Sequence, residues 1–198
     1  MRSVTPFDRE LFVESCIAAA SDSDPLSAIR DVLLRAISEP AALDAAFPVP
    51  IAETDTDGVL YLGDDLLVVY AIFPQHFSTG IHNHTVPAVI GVWSGYEDNH
   101  LFEAVDGGLR PLGAPRLEVG EVLLLGADAI HDVHTPPTTY SAALHVYLGD
   151  IIHAERSCWD DTSSGPSPFD GAEQERHWME AATATGLLLP ASQSTTAS

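Results

Sequence analysis

The chain has 198 residues, 45% of them hydrophobic, which is typical of one globular domain with a sizeable core. It carries 29 acidic residues against eight arginines and no lysine, and the resulting net charge of −21 repels nucleic-acid phosphates and anionic membranes. No apolar run approaches the ~20 residues that span a bilayer, and the N-terminal sequence lacks a signal-peptide core, so the sequence predicts a cytoplasmic protein that binds neither nucleic acid nor membrane.

Residues 1–50 are predicted to form a helical segment that packs on the rest of the protein. In the first helix, the apolar side chains expected to share one face are Phe7, Leu11, Phe12 and Ile17. A second helix begins with Asp24 as its N-cap and Pro25 in its first turn, and its apolar stripe is Ile29, Leu33 and Ile37. The sequence PAALDAAF predicts a short third helix.

From residue 51 to residue 160 the pattern changes to short strands. The apolar runs are LLVVYAIF, AVIGVWSG, EVLLLG and SAALHVYLG, and clusters of Gly, Asp and Pro separate them. Many short strands with regular turns predict a sandwich or a barrel. In the last segment, 161–198, an acidic Gly/Pro/Ser loop precedes a short helix near 171–184 and the tail ASQSTTAS, which is predicted to be disordered.

Two histidines, His82 and His84, stand one residue apart in the sequence TGIHNHTVPAV. Side chains at i and i+2 of an extended chain point the same way, so the two imidazoles can face one point. That arrangement is suited to a metal ion. A third ligand is offered by GEVLLLGADAIHDVH, where His131 and His134 face opposite ways because they are three residues apart. The turn before His131 favours His131, and His134 is expected at the exposed end of the strand.

Other polar side chains are expected outside the site. His76 is predicted to be a surface residue in a turn, with a place at the cavity entrance as the alternative. His100 and His153 are expected near strand ends and in solvent, and Cys158 lies outside any redox motif.

GIHNHTVPAVIGVWSG resembles the first motif of the cupins, and GEVLLLGADAIH resembles the second. The resemblance is closer to the cysteine dioxygenase-like thiol dioxygenases, given IHDV, ALHVYLGD and the helices ahead of the strands. It covers residues 50 to 160. It implies a mainly β protein: a cupin double-stranded β-helix, or jelly roll, at 51–160, with N-terminal helices and a short C-terminal helix.

The resemblance also implies a metal centre without a carboxylate ligand. Cupins place a glutamate four or five residues after the second histidine, where this chain has Ala88 and Val89. The expected ligands are therefore His82, His84 and His131. The expected ion is iron(II), Fe(2+), whose open positions suit a thiolate and O₂. Three histidines also bind zinc, so the ligand set alone does not choose the metal.

In the family, a Ser-x-His-x-Tyr set lies beside the iron. His145 and Tyr147 match its last two members and are the expected catalytic groups, whereas Ala143 replaces the serine. The family binds the substrate carboxylate with an arginine or glutamine ahead of the first histidine, but no arginine lies between Arg35 and Arg110. Tyr61 and Gln75 are the alternatives in that stretch.

The function implied is oxidation of a small-molecule thiol to its sulfinate with O₂ by an iron(II)-dependent thiol dioxygenase. The alternatives are another metal-dependent cupin enzyme, such as an isomerase or a decarboxylase, and a non-enzymatic small-molecule-binding cupin. Thiol oxidation consumes O₂ only when a thiol is present, which separates the first from the others.

Overall fold

The structure is a computed structural model that describes residues 5–52, 56 and 58–189. The predicted disordered tail at 191–198 lies outside this range. Within it, no helix is long and apolar enough to cross a membrane.

The described residues form four helices, which flank the strands. Their bounds are α1 Arg9–Ala20, α2 Pro25–Ile37, α3 Pro40–Ala46 and α4 Gly171–Ala184. Helix α2 starts as predicted, because the Asp24 side chain accepts a hydrogen bond from the Ser27 amide and Pro25 occupies the first turn, where no amide donor is needed. Its predicted stripe is also confirmed: Ile29, Leu33 and Ile37 are at most 1% exposed.

The face predicted for α1 is wrong in part. The helix buries Phe12, Cys16 and Ala19, whereas Leu11 is 61% exposed and Ile17 is 39% exposed. Positions 12, 16 and 19 follow the i, i+4, i+7 spacing of a single helical stripe. The prediction followed the largest side chains and passed over the smaller Cys16 and Ala19, which fit closer to the neighbouring elements.

Two antiparallel sheets face each other. The five-stranded sheet, in the order β2-β3-β11-β5-β9, contains β2 Val59–Leu62, β3 Leu66–Phe73, β5 Ala88–Ser94, β9 Val122–Leu125 and β11 Ser141–Leu148. The seven-stranded sheet, in the order β13-β12-β4-β10-β6-β7 with β8 on β6, contains β4 Ile81–Asn83, β6 Tyr96–Val105, β7 Gly108–Gly113, β8 Arg116–Glu118, β10 Ile130–His134, β12 Ser157–Trp159 and β13 Ser167–Pro168. A parallel pair links β1 Ile51–Ala52 to β14 Leu188–Leu189.

The chain alternates between the two sheets from β3 to β6 and again from β9 to β12. Strands that pair antiparallel within each sheet while the chain alternates between sheets form a double-stranded β-helix, so the predicted mainly β jelly roll is confirmed. The step from β5 to β6 requires Gly95. Its φ is +69°, and a Cβ there would lie 2.3 Å from the carbonyl oxygen of Tyr140.

The helices cover the outer face of the five-stranded sheet. Side chains of α2 join the same buried cluster as Val89, Trp93 and Leu144. The indole N–H of Trp93 donates to the Asp44 carboxylate at 3.2 Å. Alternate residues of β5 and β11, such as Ile90 and Ala143, point the other way, into the space between the sheets. That interior is where the histidines of the predicted site lie.

Candidate metal centre

The structure brings His82, His84 and His131 together inside the barrel. His82 is the middle residue of β4, and His131 lies directly opposite it on β10. Directly paired residues of antiparallel strands place their side chains on the same face, so this pairing aims both rings inward. His84 follows the end of β4 and faces the same way.

The three imidazoles converge through their Nε2 atoms. The Nε2 of His84 lies 3.1 Å from that of His82 and 3.3 Å from that of His131. A metal ion ~2.1 Å from each nitrogen would separate them by ~3.0 Å in octahedral and ~3.4 Å in tetrahedral geometry. The spacing therefore fits a metal ion of either geometry.

Two of the three rings have a hydrogen-bond partner at Nδ1, the nitrogen that does not face the other histidines. The Nδ1 of His82 lies 3.0 Å from the carbonyl oxygen of Gly80, and the Nδ1 of His131 lies 3.3 Å from the side-chain oxygen of Asn99. A carbonyl oxygen accepts only an N–H, so the Nδ1 of His82 carries the proton and its Nε2 presents a lone pair to the centre. The buried Nδ1 of His84 has no hydrogen-bond partner among the described residues.

Burial keeps these rings neutral. The exposed fractions are 7% for His82, 4% for His84 and 2% for His131. Desolvation lowers the pKa of His82 to about 4. Desolvation, with the charges of neighbouring histidines, also holds the pKa values of His84 and His131 well below the ordinary histidine value. Three neutral imidazoles with lone pairs at one point are a donor set for a divalent transition metal.

His145 and Tyr147 lie beside this cluster, as the resemblance implies. The Nδ1 of His145 is 3.1 Å from the hydroxyl of Tyr147, within hydrogen-bonding distance. The Tyr147 ring stands perpendicular to that of His84 with 5.1 Å between centroids. Burial raises the pKa of Tyr147 to about 12 and lowers that of His145 to about 4, so both are neutral near pH 7. The buried Nε2 of His145 has no partner among the described residues.

A cavity of about 540 Å³ opens onto the histidines. It lies between the barrel and α4, and the residues that matter for its chemistry are His82, His84, Tyr147, Arg156, Phe169 and Trp178. The indole N–H of Trp178 donates to the carbonyl oxygen of Ile72 at 2.8 Å and so anchors α4 to β3 at the edge of the cavity. The volume is suited to a small molecule.

Arg156 is a basic residue in the cavity lining that the sequence prediction did not consider. Its Nε donates to the carbonyl oxygen of Asn83 at 3.0 Å, between the two histidines of the first motif. Its guanidinium lies 3.8 Å above the ring of Phe169. No described carboxylate lies within 4.0 Å of it, whereas Arg110, Arg116 and Arg176 all pair with acids.

Tyr61 and Gln75 were the alternatives for the carboxylate-binding residue of the family, and neither lines the cavity among the described residues. Tyr61 packs at the edge of the helix-side core, and Gln75 lies outside the lining. The prediction considered only the chain ahead of His82, but the cation comes from the chain after β11. Arg156 directly precedes β12, and only the pairing of β12 with β4 brings it to the histidines. The sequence alone does not reveal that pairing.

The remaining histidines are placed mostly as expected. His134 lies at the exposed end of β10, on the face opposite to His131, and His76 is exposed. The prediction for His100 is wrong in part: its side chain is 38% exposed, but it lies in the middle of β6 rather than at a strand end, and its Nδ1 contacts the Asp132 carboxylate at 2.6 Å.

The alternation of strands between two sheets and the inward histidines are now both established. The fold is a double-stranded β-helix with a histidine cluster inside it. No protein-family model matches the sequence, and none of the curated proteins matches it.

Solved structures resemble the chain distantly. An uncharacterised protein with a double-stranded β-helix domain from Klebsiella pneumoniae has a TM-score of 0.42 and 14% identity, over 52% of this chain and 77% of that one. A cupin superfamily protein from Desulfitobacterium hafniense has a TM-score of 0.38 and 16% identity, over 46% and 74%. A hydroquinone 1,2-dioxygenase from Sphingomonas sp. TTNP3 has a TM-score of 0.39 and 13% identity, over 47% and 65%.

Proposed function

We propose that this protein is an iron(II)-dependent thiol dioxygenase that oxidises a small thiol to its sulfinate with O₂. The observation that carries the proposal is a buried group of three histidines, His82, His84 and His131, which contains no carboxylate and opens onto a small-molecule cavity. The resemblance of the chain's sequence motifs to those of the cysteine dioxygenase-like enzymes supports the same assignment. In this proposal the three histidines are the metal ligands.

The metal would supply open coordination positions and the one-electron chemistry that O₂ requires. The chain supplies the rest. The neutral ligands leave the charge of a divalent ion uncompensated, which favours an anionic thiolate over a neutral thiol in the cavity. Ile72, Phe73 and Phe77 also line the cavity and make part of its surface apolar.

Tyr147 and His145 are proposed to orient the substrate. At neutral pH the Tyr147 hydroxyl keeps its proton, so it can donate a hydrogen bond toward the cavity while His145 holds the hydroxyl from behind. Ala143, which is fully buried, stands where the family has the serine of the Ser-x-His-x-Tyr set and offers no hydroxyl. The pair therefore acts without the serine that the family has.

Arg156 is proposed to bind an anionic group of the substrate. A half-buried guanidinium without a carboxylate partner in the described part of the chain is unusual for a protein with 29 acidic residues, because desolvating a charge without pairing it is unfavourable. A carboxylate in the cavity would restore that pairing with two parallel hydrogen bonds. The favoured substrate is thus a small thiol that carries a carboxylate.

The test is O₂ uptake by the protein reconstituted anaerobically with Fe²⁺. 3-Mercaptopropionate and 3-mercaptopropan-1-ol form a matched pair that differs in the carboxylate. We expect one O₂ to be consumed per thiol, both oxygen atoms to appear in the sulfinate, and the carboxylate thiol to be favoured. Absence of thiol-dependent O₂ uptake across a broader thiol panel would reject the dioxygenase in favour of a cupin isomerase, decarboxylase or binding protein.

Arg156→Gln separates substrate recognition from the chemistry. Loss of a charged hydrogen-bonded pair, at ~1.5–3 kcal/mol, should raise KM for 3-mercaptopropionate by about 10- to 100-fold. The neutral thiol serves as the internal control, because its KM should stay unchanged. An equal effect on both thiols would mean that Arg156 acts on the metal site rather than on the carboxylate.

A further inference from the structure

A second group of metal-ligand side chains lies on the outer face of the seven-stranded sheet, away from the cavity. His100 on β6 is directly opposite Asp132 on β10, and His134 follows two residues after Asp132. Cross-strand partners and i, i+2 neighbours share a face, so the three side chains form one surface cluster. His131, the residue directly before Asp132 on β10, points the opposite way, into the barrel.

The ligand atoms of this outer cluster are close together. The two oxygens of Asp132 contact one ring each: Oδ1 lies 2.6 Å from the Nδ1 of His100, and Oδ2 lies 3.4 Å from the Nε2 of His134. The two imidazole centroids are 4.8 Å apart. The three ligand atoms all lie within 4.8 Å of one another.

The surroundings leave Asp132 available. Arg116, on the neighbouring strand β8, is occupied by Asp98, whose two oxygens it contacts at 2.7 and 2.9 Å. Asp132 is largely buried, with a side chain 10% exposed, whereas His100 is 38% exposed and His134 is 46% exposed. The carboxylate is thus largely shielded by the sheet, whereas both rings are reachable from solvent, and the Nε2 of His134 also lies 3.4 Å from the Ser78 hydroxyl.

We propose that His100, Asp132 and His134 bind a divalent transition cation of the zinc class, independently of the three inner histidines. Two imidazole nitrogens and one carboxylate are ligands that Zn²⁺ and Ni²⁺ accept, whereas Mg²⁺ and Ca²⁺ prefer oxygen ligands alone. The net charge of −21 concentrates cations at the surface. Solvent completes the coordination, because the cluster is open on its outer side.

The experiment is a Zn²⁺ titration of the full chain against a chromophoric chelator, with the stoichiometry measured for the parent and for single variants. His100→Ala and His134→Ala should each remove one equivalent, or weaken it by at least ~100-fold. His131→Ala should keep that equivalent. His153→Ala is the matched control: it removes an exposed histidine that also contacts an aspartate, Asp150, outside the cluster.

Two results would overturn the proposal: a zinc stoichiometry and affinity in His100→Ala equal to those of the parent, or the same loss in His153→Ala. Melting temperatures in excess chelator confirm that each variant is folded. The result does not depend on the inner site. If the inner histidines of the parent bind no metal, the parent should bind one equivalent of Zn²⁺, and His100→Ala should lose it.

Discussion

Glu97→Gln is expected to change how the stability of the protein depends on pH. Glu97 lies on β6 and is fully buried, and its Oε1 accepts a hydrogen bond from the Ser141 hydroxyl at 3.1 Å. Its Oε2 has no partner among the described residues. Burial raises the pKa of this carboxyl from 4.5 to about 7, against the smaller opposite effect of Ser141.

The size of the effect follows from this pKa. Between pH 4.5 and about 7 the unfolded chain has released the proton of Glu97 and the folded chain still holds it. The contribution of Glu97 to stability is therefore fully present below pH 4.5 and is lost as the pH rises through about 7. About 2.5 pH units at ~1.4 kcal/mol each make the loss ~3 kcal/mol.

The assay is urea unfolding of parent and Glu97→Gln between pH 4 and pH 8, in the presence of a chelator. Glutamine does not titrate, so the stability of the variant relative to the parent should rise by ~3 kcal/mol across this range. The buried histidines act in the opposite direction, since their lowered pKa values make stability increase with pH, but they are common to both proteins and cancel. An unpaired amide lowers the whole curve without changing its slope.

Ser141→Ala provides the companion measurement. Removing the hydroxyl takes away the one hydrogen bond that favours the ionised carboxylate, so the fall in stability should extend to higher pH. A difference between Glu97→Gln and the parent that stays constant from pH 4 to pH 8 would refute the reasoning, because it would mean that Glu97 titrates alike in the folded and unfolded chains.

Three further predictions follow from the same structure. Tyr147→Phe should keep the metal and the melting temperature while turnover of the best thiol falls ~10²-fold, and turnover at the parent rate would make Tyr147 a core residue. Leu33→Ala, at a fully buried position, should destabilise the protein by ~2–5 kcal/mol in urea unfolding, whereas Leu34→Ala, at a position 39% exposed, should change it by less than ~0.5 kcal/mol; equal effects would place the core contact elsewhere. The melting temperature should rise with added NaCl from low ionic strength, since repulsion among the 29 acidic residues is screened; a flat or falling series would mean that these charges are too dispersed to matter.

Local sequence was enough to predict the elements with strong apolar patterns. β3 is the run LLVVYAIF, and α2 has its cap, its proline and its buried stripe where expected. The inward pair His82 and His84 also followed from local geometry, since it depends only on the alternation of an extended chain. The choice of His131 over His134 as the inward residue is confirmed by burial, although its role as a ligand stays a prediction.

β6 was not predicted because its sequence contains too many polar residues to show the pattern of a strand. Its sequence, YEDNHLFEAV, places Glu97 and Asn99 in the interior and Asp98 and His100 on the outer face, so it lacks the apolar alternation of a strand. Long-range pairing with β10 stabilises it instead. Because β6 was not predicted, His100 was expected near a strand end rather than within a strand.

Arg156 was missed for a different reason. Its position beside the histidines depends on the pairing of β12 with β4, residues more than 70 positions apart. No local pattern encodes that contact. The balance of charge gave no signal either, because Glu155 directly precedes Arg156 and Asp160 follows four residues later.

The most direct test of the account compares His131→Ala with His134→Ala, two histidines of the same strand that face opposite ways. Each variant is reconstituted anaerobically with Fe²⁺, and O₂ uptake is measured with the thiol that the parent oxidises best. We predict that His134→Ala consumes O₂ at nearly the parent rate, while His131→Ala loses both its iron and its thiol-dependent uptake. Parent-like uptake in His131→Ala, or its loss in His134→Ala alone, would contradict the account.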